Sequence, residues 1–212
     1  MLLHLIRKNW LFFLPYAVLL VVVGLLQLMY SQAQLMQWVN IRNSLLADRV
    51  FPYITYLGDG ATFVIACVLL VIFNWRFGAM AFGSFLLSSL TSEFLKKVVF
   101  NGSPRPLKYF EHSTFQYHLI EGLDIHSYNS FPSGHTISAF AMFSLFAFLY
   151  ARKELGWFFL FLAALTGFSR VYLFQHFVED VYAGSVIGTV SSVIIYLLMR
   201  RWVMKGSKFN SN

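Results

Sequence analysis

Long apolar runs separated by short polar segments are the main feature of this chain of 212 residues. The runs approach the roughly 20 residues that a helix needs to cross a hydrocarbon layer about 30 Å thick. They cover residues 10–30, 53–73, 77–100, 133–150, 155–174 and 181–199. The pattern therefore predicts an all-α polytopic membrane protein, with six transmembrane helices in one bundle formed by residues 1–212 as a single domain.

Two segments interrupt this pattern. In residues 31–51, apolar side chains recur at helical spacing among polar ones. This spacing favours an amphipathic helix in the membrane interface, although a surface loop packed on the other helices fits the same residues. Residues 101–131 form the one long polar loop, between the third and fourth runs, and such a loop usually has a function. Residues 205–212 are expected to form a frayed tail.

Composition places the chain in the membrane class. Hydrophobic residues make up 58% of it and charged residues only 12%, which is too apolar for an ordinary soluble domain. The net charge of +7 comes from short basic clusters between the apolar runs, a pattern typical of topology signals rather than of nucleic-acid binding. We therefore expect the bilayer, and no nucleic acid, as a partner.

Basic residues also predict the orientation of the chain. Six crossings place both termini on one side, and most cations fall on that side, which the positive-inside rule makes cytoplasmic. These cations are Arg7, Lys8, Arg76, Arg152, Lys153, Arg200, Arg201, Lys205 and Lys208. We predict a multi-pass protein of the cell (inner) membrane whose long loop faces the extracytoplasmic side. The outer cations, chiefly Lys96, Lys97, Arg105, Lys108 and Arg170, coincide with the motifs described next, which indicates a ligand.

The first motif is the stretch 130–136, Ser-Phe-Pro-Ser-Gly-His-Thr, where the loop meets the fourth run. A helix start offers free N–H groups and the positive end of the helix dipole, so Ser133, the Gly134 backbone and His135 predict an anion site. A plain Pro-Ser helix start followed by a buried histidine fits the same residues.

His176 and Asp180 form a second group, four residues apart and therefore on one helix face. The carboxylate can accept from one ring N–H and orient the other nitrogen, as for a nucleophile or base. Arg170 precedes them, and its planar guanidinium suits two phosphoryl oxygens. A structural His–Asp pair at a helix end is the alternative.

In a third group, Lys97 precedes Arg105, which is followed by Pro106. Such a lysine and arginine could hold the oxygens of a transferring phosphoryl group. Lys97 could instead pair with Glu93 one turn earlier, or extend to lipid headgroups.

Along the chain the three groups follow one another as a lysine with Arg-Pro, then Pro-Ser-Gly-His, then Ser-Arg with the His–Asp pair. This combination between residues 97 and 180 resembles the type-2 phosphatidic acid phosphatase and vanadium haloperoxidase superfamily, in its six-span membrane branch. The family usually has six residues between its lysine and Arg-Pro, a spacing that falls here on Val98. Lys97 leaves seven, which a one-residue insertion in the turn 101–104 would explain. On this basis Lys97 is preferred to Lys96.

The resemblance implies a mechanism. His176 would be the nucleophile that forms a phosphohistidine, oriented by Asp180, and His135 would be the general acid for the leaving group and then the base for water. The phosphoryl oxygens would be held by Lys97, Arg105, Ser133, Gly134 and Arg170. No metal or other cofactor is expected, because these cations could stabilise the charge and the sequence offers no carboxylate cluster.

A site at the outer membrane surface favours a lipid phosphate or diphosphate as substrate. Phosphatidate, phosphatidylglycerol phosphate, undecaprenyl diphosphate and lipid A phosphates all fit the sequence. The apolar runs argue against a soluble haloperoxidase. A non-enzymatic lipid-binding or transport protein is the alternative of another class.

Overall fold

The computed structural model describes residues 1–205. Of the predicted tail, Lys205 ends the last helix, and residues 206–212 lie outside the described part. The described residues are helical and contain no strand, only an isolated bridge between Pro104 and Tyr128. The helices are α1 (Leu2–Lys8), α2 (Trp10–Met29), α3 (Gln32–Asn40), α4 (Leu45–Ile54), α5 (Gly60–Phe73), α6 (Trp75–Phe94), α7 (Pro106–Tyr109), α8 (Gly134–Leu149), α9 (Gly156–Tyr172) and α10 (Val178–Lys205).

Three helical segments are long and apolar enough to cross a membrane: Trp10–Met29, Lys153–Tyr172 and Val178–Val203. A fourth is added if Leu45–Gly58 and Gly60–Phe73, which meet at a bend of 55°, form one span. The all-helical membrane fold is thus confirmed, and six crossings stay a prediction. The predicted fourth run corresponds to α8, a shorter apolar helix of 16 residues.

Residues 31–51 fold as two short helices rather than one. Ser31 begins α3 with a capping box, in which its side chain accepts from the Gln34 N–H and the Gln34 side chain accepts from the Ser31 N–H. Ser44 begins α4, because its hydroxyl accepts from the Ala47 N–H. A new N-cap inside the segment is the physical reason for the break, since capping residues favour a helix start over helix continuation. Both helices contact α9.

Helix α8 lies at the centre of the bundle, in contact with α6, α9 and α10. Its side chains are mostly buried, and Ala139, Ala141 and Leu145 have no exposed surface. The crossing with α10 is close because two glycines face α8. A Cβ on Gly184 would lie 2.9 Å from the Ser133 carbonyl oxygen, and one on Gly188 would lie 2.9 Å from the Ala141 nitrogen.

This crossing aligns the starts of two helices. The Ser133 N–H, at the start of α8, donates to the backbone carbonyl of Asp180, in the first turn of α10, over 3.1 Å. Two motifs that are far apart in sequence are thereby joined by a backbone hydrogen bond.

We expect Gly188→Ala to destabilise the bundle by about 1–3 kcal/mol, because the added methyl group overpacks the α8–α10 crossing. The measurement is the denaturation midpoint of the purified protein in detergent. Gly83→Ala is the matched control: its Cβ would meet only side-chain atoms at 3.5 Å or more, which is ordinary contact. Equal midpoints for the two variants would contradict the assigned role of the crossing.

Candidate anion-binding site

His176 and Asp180 form a buried pair at one end of the bundle, each with 1% of its surface exposed. His176 Nδ1 lies 3.3 Å from Asp180 Oδ2. The same oxygen accepts from the Ser130 hydroxyl at 2.5 Å and from the Phe177 N–H at 2.8 Å. An ionised carboxylate only accepts hydrogen bonds, so the arrangement assigns the ring proton to Nδ1 and leaves the lone pair of Nε2 free.

The environment of His176 keeps its imidazole neutral. His176 lies in the turn between α9 and α10, outside the membrane-spanning segments. Burial, followed by the positive charges of Arg170, Arg105 and Lys96, holds the pKa of His176 well below its usual value of 6.5. A neutral, oriented imidazole near neutral pH has the state that a nitrogen nucleophile requires.

Arg105 is held beside this pair by the long loop. Its Nε donates to the Tyr128 carbonyl at 3.0 Å, and its NH1 donates to Gln175 Oε1 at 2.9 Å. Gln175 is fixed in turn, because its side-chain amide donates to the Asp124 carbonyl at 2.9 Å. Two segments of the loop 101–131 and the turn after α9 therefore position one guanidinium.

Arg170 reaches the same cluster from the end of α9. Its NH1 donates to Thr55 Oγ1 at 2.7 Å, and only 7% of the residue is exposed. Its Nε is buried and has no hydrogen-bond partner among the described residues. Buried polar groups are nearly always paired, so an N–H of this kind beside other cations indicates a place for an anion.

The lysine of the cluster is Lys96, not Lys97 as the sequence analysis preferred. Lys97 is exposed and pairs with Glu93 at 2.6 Å. Lys96 is half-buried and within electrostatic range of Arg105, Arg170 and Asp180, and its Nζ would lie 3.5 Å from a Cβ on Gly134.

The physical reason is a π-helical turn at Leu95–Val99, which follows α6 directly. A π turn is wider than an α turn and changes which side chain faces a given direction. The spacing of the family motif predicted an inserted residue in the turn 101–104. The irregularity lies instead in the π turn at the end of the helix.

Ser133, Gly134 and His135 lie at the start of α8, as predicted. Ser133 is fully buried, and its oxygen accepts from the Thr136 hydroxyl at 2.9 Å, so its own proton is free to be donated. Its side chain does not cap α8. The first N–H groups of the helix are therefore available to a ligand.

His135 completes the cluster and is one-third exposed at its side chain. Arg170, Lys96 and Arg105 all act on it electrostatically, and so does His176. Two imidazoles, three cations and a free helix start thus lie within electrostatic range of one another. Such a set of groups suits the binding of a tetrahedral anion.

Sequence reasoning did not assign Ser130, Gln175 or Thr55. Ser130 lies within the motif stretch 130–136, so the stretch itself was a signal for it. Gln175 and Thr55 carry no local signal, because their roles come from hydrogen bonds to Arg105 and Arg170 across the fold.

The chain is similar to several known proteins. Residues 77–204 match the PAP2 superfamily. The chain is 31% identical over 125 residues to a lipid A 1-phosphatase of Rhizobium johnstonii, covering 58% of this chain and 48% of the relative. It is 33% identical over 91 residues to the undecaprenyl-diphosphatase BcrC of Bacillus subtilis, covering 42% and 46%. The chain thus spans about half the length of these curated relatives.

Two solved structures share the architecture. The crystal structure of Aquifex aeolicus LpxE has a TM-score of 0.67 at 25% identity, over 77% of this chain and 93% of that one. A PAP2-type phosphatidylglycerolphosphate phosphatase from Bacillus subtilis has a TM-score of 0.54 at 23% identity, over 96% and 99%, and shows a likeness of fold.

We expect Lys96→Ala to weaken the binding of orthovanadate, a tetrahedral oxyanion, by about tenfold or more, because a charge-assisted contact to the anion is lost. Lys97→Ala, which removes an equal charge one residue away, should leave the affinity within about twofold. Titration calorimetry of both variants checks the assignment. If Lys97→Ala weakened vanadate binding more than Lys96→Ala, Lys97 would be the lysine of the site.

Proposed function

This chain belongs to the PAP2 superfamily, and from that premise we propose that it is an integral membrane lipid phosphatase. It hydrolyses a lipid phosphate monoester or diphosphate through a phosphohistidine intermediate. The observation that carries the proposal is the convergence of an oriented, neutral His176 and a second histidine, His135, on one cluster of three buried or half-buried cations.

The first step forms the intermediate. Nε2 of His176 attacks phosphorus, the bond from phosphorus to the leaving oxygen breaks, and His135 donates a proton to that oxygen. Asp180 stabilises the positive charge that develops on the His176 ring, and Ser130 and the Phe177 N–H hold the carboxylate in place. The pair therefore orients the nucleophile before the substrate arrives.

Water completes the reaction. His135, now neutral, accepts a proton from a water molecule that attacks phosphorus, and the P–N bond to His176 breaks to release inorganic phosphate. The same imidazole thus acts as acid in one step and as base in the next. Both histidines return to their starting states.

The phosphoryl oxygens are held by the cations and the start of α8. We assign this role to Lys96, Arg105, Arg170, the Ser133 hydroxyl and the Gly134 N–H. Fixed cationic donors stabilise a developing charge, which is the part that a metal ion has in other sites, and we propose catalysis without a metal.

For the topology we propose six crossings of the inner membrane, with both termini cytoplasmic and the site facing the extracytoplasmic side. Basic residues at the opposite end of the bundle support this orientation. Arg76 donates to the Trp202 carbonyl at 2.9 Å, and Lys153 donates to the Ala147 and Phe148 carbonyls at 2.9 and 2.8 Å. These cations lie at the ends of α6, α8 and α9 that are opposite to the ends near Lys96, His135 and Arg170.

Phosphate release from a panel of lipids tests the proposed function. We expect purified protein to release inorganic phosphate from at least one lipid phosphate or diphosphate with EDTA present. His176→Ala and His135→Ala should each lower the rate by about 10³-fold or more, because each removes a group that acts on the reacting atoms. Lys97→Ala is the control that stays active.

Lack of phosphate release from every lipid, despite binding, would favour a lipid-binding protein instead. Substantial activity of His176→Ala would exclude His176 as the nucleophile.

The dependence of kcat/KM on pH should be bell-shaped, with its acidic limb well below pH 6.5. Activity falls on the acidic side when His176 gains a proton, and its pKa is held below the usual value of 6.5 by burial and by Arg170, Arg105 and Lys96. Activity falls on the alkaline side when the acid loses its proton. A profile measured from pH 4 to 9 checks both limbs, and a flat profile would contradict the use of two histidines.

A further inference from the structure

The break in the second apolar run forms one wall of the phosphate site. The bend of 55° lies between Gly58 and Gly60. Gly58 packs against the start of α8 so closely that a Cβ there would overlap the His135 carbonyl group, lying 2.9 Å from its carbon. Thr55, one turn earlier, accepts from Arg170. The bent segment therefore contacts two residues of the site, on α8 and on α9.

Asp59 sits at the bend with its carboxylate fixed. Its Oδ1 accepts from the Ala61 N–H at 2.8 Å and caps α5. Its other oxygen, Oδ2, lies 4.0 Å from His135 Nε2. The chain thus places a negative charge beside the ring nitrogen of the proposed general acid.

The titratable groups within electrostatic range of His135 come from five parts of the fold. Arg170 of α9, Lys96 of the π turn and Arg105 of the long loop carry positive charge, and the neutral His176 ring lies in the turn before α10. Asp59 opposes the three cations. Because an adjacent carboxylate favours the imidazolium form, Asp59 helps His135 to hold the proton that it must donate.

We propose that Asp59 is a positioning residue that makes the site selective for lipid phosphate monoesters over lipid diphosphates. The inference rests on the proposed phosphatase function and narrows its substrate class. The inference depends on the position of the leaving group. In the proposed mechanism the leaving group is next to His135, and it is therefore also close to the Asp59 carboxylate.

The two substrate classes differ in what their leaving groups need. When the phosphorus–oxygen bond of a monoester breaks, the leaving alkoxide oxygen takes a proton from His135, which Asp59 keeps available. When a diphosphate is cleaved, the leaving phosphate is a much weaker base than an alkoxide, so the breaking of its bond depends less on the proton from His135. That anion also carries negative charge toward Asp59, which repels it. Both effects favour the monoester.

Asp59→Asn tests the proposal, because asparagine is nearly isosteric and caps a helix equally well but has no charge. We compare kcat/KM for a monophosphate and a diphosphate of the same lipid tail, together with the pH profile for the monophosphate. Glu154→Gln, the same change at an exposed residue in the turn before α9, is the control.

We expect the variant to lose about tenfold or more in kcat/KM on the monophosphate relative to the diphosphate. The alkaline limb of the monophosphate profile should move down by about half a pH unit or more, since the acid loses its carboxylate partner. A purely structural role would lower both activities equally and leave the profile in place, and that outcome overturns the proposal. If the wild type cleaves neither lipid, the proposed function itself is wrong and this inference with it.

Discussion

The close crossing of α8 and α10 is the constraint on which the site depends. Gly184 and Gly188 remove the side chains that would separate the two helices, and the hydrogen bond from the Ser133 N–H to the Asp180 carbonyl fixes their starts side by side. A helix start that offers free N–H groups is thereby joined to the helix that carries the carboxylate of the His–Asp pair. Small residues at a crossing are a general means of close helix packing in a bilayer.

The electrostatic balance of the cluster explains why it should bind an anion. Lys96, Arg105 and Arg170 approach one region, where Asp180 is already occupied by three hydrogen-bond donors. Burying like charges together costs free energy unless an opposite charge offsets it. The phosphoryl group of the proposed substrate carries that opposite charge, so its binding is expected to relieve the repulsion among the three cations. Burial, together with the same cations, lowers the pKa of His176 and keeps its ring neutral.

The sequence predicted the helical membrane fold because the apolar runs encode it. The motifs and the family resemblance led to His135, His176, Asp180, Arg105 and Arg170, and their roles stay predictions. Lys97 was preferred to Lys96 because a π turn changes the direction of a side chain without changing the residue pattern. Gln175, Thr55 and Asp59 could not be found from spacing, since they act through contacts between segments that are distant along the chain. The apolar runs predicted six crossings, whereas three described helical segments are long and apolar enough to cross a membrane, or four if the bent pair forms one span.

The break at Gly58–Gly60 interrupts the regular helix in the second apolar run. An uninterrupted helix would satisfy every backbone hydrogen bond in the bilayer, and a break leaves N–H groups that need other partners. Asp59 supplies one partner through its cap on Ala61, and the same carboxylate lies beside His135. The residue that repairs the backbone is thus the one that brings charge to the site. A capping hydroxyl would repair the backbone equally well, whereas the carboxylate of Asp59 also brings a charge to His135.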